Sequence, residues 1–151
     1  TRFEYRGLAV DFEATTDGTI RLAFTVVNVG DREGDEVVQV YGHDVVARTA
    51  RRGRTLLAFQ RIPLAAGAGA RVGVEIPASM LALWDRNEGW VVEPGVIKLF
   101  VGASSAAIRL RGEVTLTGHD HLTGAARDLF SRVTVSDVPR SALSAAIAYA
   151  G

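Results

Sequence analysis

Thr19-Ile-Arg-Leu-Ala-Phe-Thr-Val-Val-Asn-Val29 decides the fold class. Ile20, Leu22, Phe24 and Val26 recur at every second position, with Arg21, Ala23 and Thr25 between them. A period of two sends the first set to one face of a strand and the second to the other, which predicts a strand with one buried face. Upstream, Leu8, Val10 and Phe12 alternate with Ala9, Asp11 and Glu13. Asp17-Gly18, tolerant of positive φ, predicts a tight turn joining these two strands. Downstream, after Asn28-Val-Gly-Asp31, Glu36-Val-Val-Gln-Val-Tyr41 is a third strand, rich in β-branched residues.

The same pattern continues outward. A polar loop from Asp44 to Arg54 leads to Thr55–Ile62, which Pro63 ends by withdrawing an amide donor. Gly67-Ala-Gly69 predicts a hairpin-like turn into Arg71–Ile76, where Val72, Val74 and Ile76 share a face, and Pro77 closes that strand. Residues 78–90, carrying Leu81, Leu83 and Trp84, predict a short turn of helix. Glu93-Pro-Gly95 turns into Val96–Val101, with Ile97, Leu99 and Val101 inward and Gly95 suited to positive φ. Ile108–Leu116 comes last. Seven strands punctuated in this way predict an all-β Greek-key sandwich over residues 1–117.

Residues 118–151 read as a separate, partly helical extension. Gly118-His-Asp-His-Leu122 predicts a loop, Thr123 caps a short helix through Arg132, and Val133-Thr-Val135 is extended. Asp137 and Pro139 open a second helix over Ala142 to Tyr149. An Ala-rich helix that short needs a surface to lie on. The tail is therefore expected to pack on the sandwich or on a neighbouring domain.

Composition narrows the function. The 151 residues suit one domain with an appendage. They are 48% hydrophobic, and 17 acidic residues cancel 17 basic ones, which argues against disorder. It also argues against a nucleic-acid or membrane-surface partner, since both depend on a basic field. With no Cys, disulfides, thiol nucleophiles and Cys-ligated zinc are excluded. No apolar run approaches the roughly 20 residues that span a bilayer. Thr1 followed by Arg2, Glu4 and Arg6 has no signal-peptide character, and the chain reads as a piece of something longer. Neither a dinucleotide glycine fingerprint nor Gly-Lys-Ser/Thr occurs, so no cofactor is expected.

Candidate chemistry is sparse. His43, His119 and His121 with Asp44 and Asp120 are the best metal-ligand types, but no third ligand is set by spacing and exposed loop histidines are the expectation. Asp31, Glu33, Asp35 and Glu36 crowd one turn, where a solvated loop is expected rather than acid/base or calcium chemistry. Ser104, Ser105 and Ser141 have no His nearby in sequence to activate them. Arg48, Arg51, Arg52 and Arg54 form a basic loop able to meet phosphate or an acidic partner. Trp84, Trp90 and Tyr41 have flat apolar faces with polar edges, suited to a domain interface, to core packing or to sugar rings.

Five collinear strings carry a resemblance: Thr1-Arg-Phe-Glu-Tyr5, Val27-Asn-Val-Gly-Asp-Arg-Glu-Gly-Asp-Glu-Val-Val-Gln-Val-Tyr41, Leu56-Leu-Ala-Phe-Gln-Arg-Ile62, Trp90-Val-Val-Glu-Pro-Gly95 and Val101-Gly-Ala-Ser-Ser105. Together they resemble the immunoglobulin-like, fibronectin type III-like domain that lies C-terminal to the catalytic domains of family 3 glycoside hydrolases, the β-glucosidases and β-xylosidases. Ala58 stands where that family commonly has Gly, and Val96-Ile97 replaces a more polar pair. The resemblance ends near residue 117. It implies a non-catalytic accessory domain whose partners are the catalytic domains of a parent chain. The nucleophilic Asp and the acid/base Glu belong to those preceding domains, and no residue here matches either motif.

Overall fold

The computed structural model describes residues 2–45, 54–124 and 127–143. These form two facing sheets and a small third one. The strands are β1 (Phe3–Val10), β2 (Glu13–Thr15), β3 (Thr19–Asn28), β4 (Gly34–Asp44), β5 (Thr55–Leu64), β6 (Gly69–Pro77), β7 (Leu83–Asp85), β8 (Gly89–Val92), β9 (Gly95–Ser104), β10 (Ala107–Thr117), β11 (His121–Leu122) and β12 (Arg132–Val138). One sheet has the order β1-β3-β6-β12, the facing sheet β2-β10-β9-β4-β5, and the small sheet β11-β8-β7. Pairing is antiparallel except between β2 and β10.

The core lies between the two large sheets and is built from the alternating positions. Ile20, Phe24 and Val26 of β3, Val72 and Ile76 of β6, Leu99 and Val101 of β9 and Val114 of β10 are fully buried. Interdigitated β-branched and aromatic side chains of this kind exclude water from both inner faces. Tyr5 stacks on Phe24 at 5.9 Å and closes the core beside β1. Burial first, then the negative charge of Glu36, pushes its phenol well above its ordinary value, so it stays protonated.

Asn28 is the polar exception at 0% exposure, and its side chain is satisfied. Its Nδ2 donates to the carbonyls of Arg32 (2.8 Å) and Leu64 (3.0 Å), and its Oδ1 accepts from the Gly30 amide at 3.0 Å. One amide thus ties the end of β3 to the following turn and to the end of β5. Gly102 is required for steric reasons: a Cβ there would lie 2.1 Å from the Ala107 carbonyl oxygen, where the β9–β10 register shifts. Gly95 has φ 146°, the positive value anticipated for the turn into β9.

Several expectations need correction. Phe12 does not continue the inward face of Leu8 and Val10; it is 80% exposed. Between Val10 and Glu13 the chain leaves one sheet for the other, and the alternation loses its phase. Asp17-Gly18 accordingly joins β2 to β3 across the sandwich, without positive φ at either residue. Gly67-Ala-Gly69 also crosses between sheets, since β5 and β6 lie in different ones, so it is not a hairpin turn. Residues 78–90 contain one 3-10 turn, Ala78–Leu81, followed by the β7–β8 hairpin.

In the tail, the expected loop at Gly118–Leu122 contains β11, which pairs with β8. Residues 127–131 are irregular where a helix through Arg132 was expected, and β12 runs past Val135 to Val138, paired with β6 along its whole length. Arg140 to Leu143 form a helical turn; the rest of the expected helix, through Tyr149, lies outside the described residues. Leu143 is buried against Gly69, whose missing Cβ leaves room for it.

Candidate functional site

The described residues singled out in the sequence lie on two sheets, Tyr41 on the five-stranded one and Trp84 and Trp90 on the small one. Tyr41 stands on the outer face of β4, opposite Phe100 of β9 and Leu56 of β5. Its hydroxyl bonds to the Gln39 Oε1, and Gln39 Nε2 donates to the Ala103 carbonyl at 3.0 Å, so ring and amide brace each other. Arg54 lays its guanidinium 4.2 Å from the Phe100 ring centroid while its Nη1 donates to the Ser105 carbonyl at 2.9 Å. Lys98, Arg111 and Glu113 line the same shallow depression. Arg48, Arg51 and Arg52 lie outside the described residues.

Trp84 and Trp90 face each other across the β7–β8 hairpin with ring centroids 5.4 Å apart at 73°. An edge-to-face pair of this kind satisfies both ring quadrupoles. Asp85 shapes the hairpin by accepting the Asn87 and Glu88 amides at 2.8 and 3.0 Å. Trp90 packs partly against the core, whereas Trp84 is 57% exposed. Arg127 from the tail covers Trp90 at 4.0 Å, a cation–π contact, and the next residue, Asp128, exchanges hydrogen bonds with Ser79.

The other candidates take structural positions. Asp35 pairs with Arg61 across β4 and β5. Ser104 Oγ accepts the Ala107 amide at 3.1 Å and shapes the β9–β10 turn. His43 lies on β4 opposite Lys98, whereas His121 lies on β11 in the small sheet opposite Val92. The carbonyl of His119 accepts the Thr16 hydroxyl. Among the described residues, no three of His, Cys, Asp and Glu gather as metal ligands would.

One feature escaped the sequence reading. Leu56 and Phe59 of β5, Met80, Leu129, Phe130 and Val133 of β12 line a groove of about 320 Å³. It lies on the side of the sandwich where the end strands of the two large sheets part. Leu56 and Phe59 of its near wall are three positions apart and share a face only because the β4–β5 register shifts between them, so alternation does not reveal them; the far wall comes from residues some seventy positions later and has no local signal.

A sandwich with this strand arrangement defines an all-β, fibronectin type III-like unit. The family model for the fibronectin type III-like domain matches residues 36–105. Probable beta-glucosidase L of Aspergillus terreus is 33% identical over 133 residues, covering 77% of this chain and 18% of its own length. A beta-xylosidase of Formosa agariphila is 36% identical over 118 residues, covering 78% and 16%. Among solved structures, beta-glucosidase 3B of Thermotoga neapolitana in complex with glucose superposes with a TM-score of 0.72 at 36% identity, over 80% of this chain and 16% of that one. Residues 36–105 thus carry a fibronectin type III-like domain, similar to the one in family 3 β-glycosidases. The chain spans less than a fifth of the length of these relatives.

Proposed function

We propose that this chain is the non-catalytic accessory domain of a family 3 β-glycosidase, stabilising and positioning the catalytic domains that hydrolyse the O-glycosidic bond. The observation that carries this reading is coverage: 77% of the chain aligns with only 18% of a β-glucosidase, so the chain corresponds to one unit of a larger enzyme. The seven long strands β1, β3, β4, β5, β6, β9 and β10 would form its Greek-key frame, with residues 118–151 as an appended segment. Tyr41, Trp84, Trp90 and the Arg48–Arg54 loop are its proposed contacts. Inter-domain interfaces of this kind cover about 600–1,500 Å² and draw on aromatic and Arg side chains.

The test is a parent chain expressed with and without this unit. The expected outcome is β-glycosidase activity in the parent, none in the unit alone, and faster thermal inactivation of the parent lacking it. Hydrolysis of an aryl β-glucoside by the unit alone at an enzyme-like rate would refute the reading. A second reading, a carbohydrate-binding surface, is favoured by one observation: Trp84 presents a 57%-exposed indole braced edge-on by Trp90. Saturable quenching of Trp fluorescence by oligosaccharides at millimolar or lower concentration would establish it.

A further inference from the structure

We propose that the groove between β5 and the segment leading into β12 is the seat of the parent enzyme's catalytic portion, and that Phe59 and Phe130 are the side chains inserted into it. The inference rests on the accessory-domain reading and assigns the contact to a definite surface. Leu56 is 44% exposed, Phe59 66%, Leu129 61% and Phe130 83%. All four line one groove, whereas other exposed apolar side chains such as Phe12 and Leu122 do not reach it. Contiguous apolar surface of this sort is uncommon on a free monomer and marks a place where another surface fits.

The groove is continuous with the residues proposed as contacts above. Leu56 lies beside Tyr41 in the β4–β5 register. At the other end, the stretch that supplies Leu129 and Phe130 begins with Arg127 on Trp90, and Trp90 meets Trp84. A belt therefore runs from Tyr41 through the groove to the Trp pair, apolar at its centre and bordered by Arg54 and Arg127. That is the anatomy of a docking surface: an apolar core with a polar rim.

The occupant follows from length and from the edge itself. More than four fifths of the A. terreus relative lies outside the region this chain covers, and that mass must be held against some face of the domain. A second copy pairing edge to edge is opposed by Arg61 and Pro63 near the end of β5, since a charge and a missing amide donor are what blunt a free strand edge. The partner surface should accordingly present aliphatic or aromatic side chains from the catalytic portion.

The decisive experiment uses the full-length parent enzyme carrying Phe59→Asp with Phe130→Asp, and Phe12→Asp as the control on another exposed phenylalanine. The expected result is roughly tenfold faster thermal inactivation and release of this domain by limited proteolysis in the double variant. Phe12→Asp should match the unmodified enzyme, and Phe59→Leu with Phe130→Leu should retain most of its resistance. Far-UV circular dichroism of each variant confirms that the sandwich is intact. A folded double variant as resistant as the unmodified enzyme would overturn the proposal, as would equal sensitivity to Phe12→Asp. Concentration-dependent dimers of the 151-residue chain that Phe59→Asp dissociates would also overturn it, in favour of a second copy. A parent without glycosidase activity would instead defeat the accessory-domain reading, a separate outcome read from the same preparation.

Discussion

Strand β6 has two neighbours, β3 on one side and β12 on the other, and they differ in instructive ways. Both are antiparallel and both hold a long register, Thr19↔Pro77 to Val27↔Gly69 for β3 and Arg132↔Glu75 to Val138↔Gly69 for β12. Backbone hydrogen bonding is therefore similar on the two sides. Burial is not. Every second side chain of β3 is sealed in the core, whereas Val133 is the best-packed apolar residue of β12 and Val135 is 43% exposed. A strand needs a paired backbone to exist, but it needs a buried face to matter energetically and to be visible in sequence.

Single substitutions can break or sharpen that contrast. Phe24→Ala in β3 removes a fully buried ring and is expected to cost about 3–5 kcal/mol in urea unfolding. That is a large share of the ~5–15 kcal/mol available to a typical domain. Asn28→Ala, at the end of the same strand, strips three hydrogen bonds, among them the buried one to the Leu64 carbonyl. The expected loss is about 3 kcal/mol, with faster amide exchange at Gly30 and around Leu64.

Tyr5, which covers the β3 core, supplies a pH signature. Its phenol is held above the ordinary 10.0, so above about pH 10 the unfolded chain binds fewer protons than the native one. Native stability must then fall as pH rises through that range, while nothing is gained or lost from this group at neutral pH. Tyr5→Phe is expected to flatten the alkaline side of the stability profile and leave its neutral part nearly unchanged. The smallest effect belongs to β12: Val135→Ala should change stability by no more than about 0.5 kcal/mol. A loss there as large as that at Phe24 would mean that β12 is packed in solution as β3 is.

Legibility followed the same division. Ile20 to Val26, Val72 to Ile76 and Ile97 to Val101 announced their inner faces because each segment stays in one sheet with one side dry. Phe12 misled because the chain changes sheets beside it. The tail misled because Ala125-Ala-Arg-Asp-Leu-Phe130 has helix-compatible composition, yet Arg127 is held by Trp90 and Asp128 by Ser79. Of the candidate site, Tyr41, Trp84, Trp90 and Arg54 could be named but not joined to their partners: Arg54 reaches Phe100 of β9 from just before β5, and Arg127 reaches Trp90 from beyond the matched residues 36–105.

By itself, then, the order of residues determined the class of fold, the inner faces of its principal strands and its likeness to a fibronectin type III-like domain. Those properties depend on local periodicity and on motifs of a few residues, and both survive in one dimension. Tertiary structure alone decided that the tail pairs with β6, that Gly67-Ala-Gly69 crosses between sheets and that two distant segments wall one apolar groove. Each of these is a meeting of segments far apart in the chain, and no local pattern records which exposed face another segment will meet.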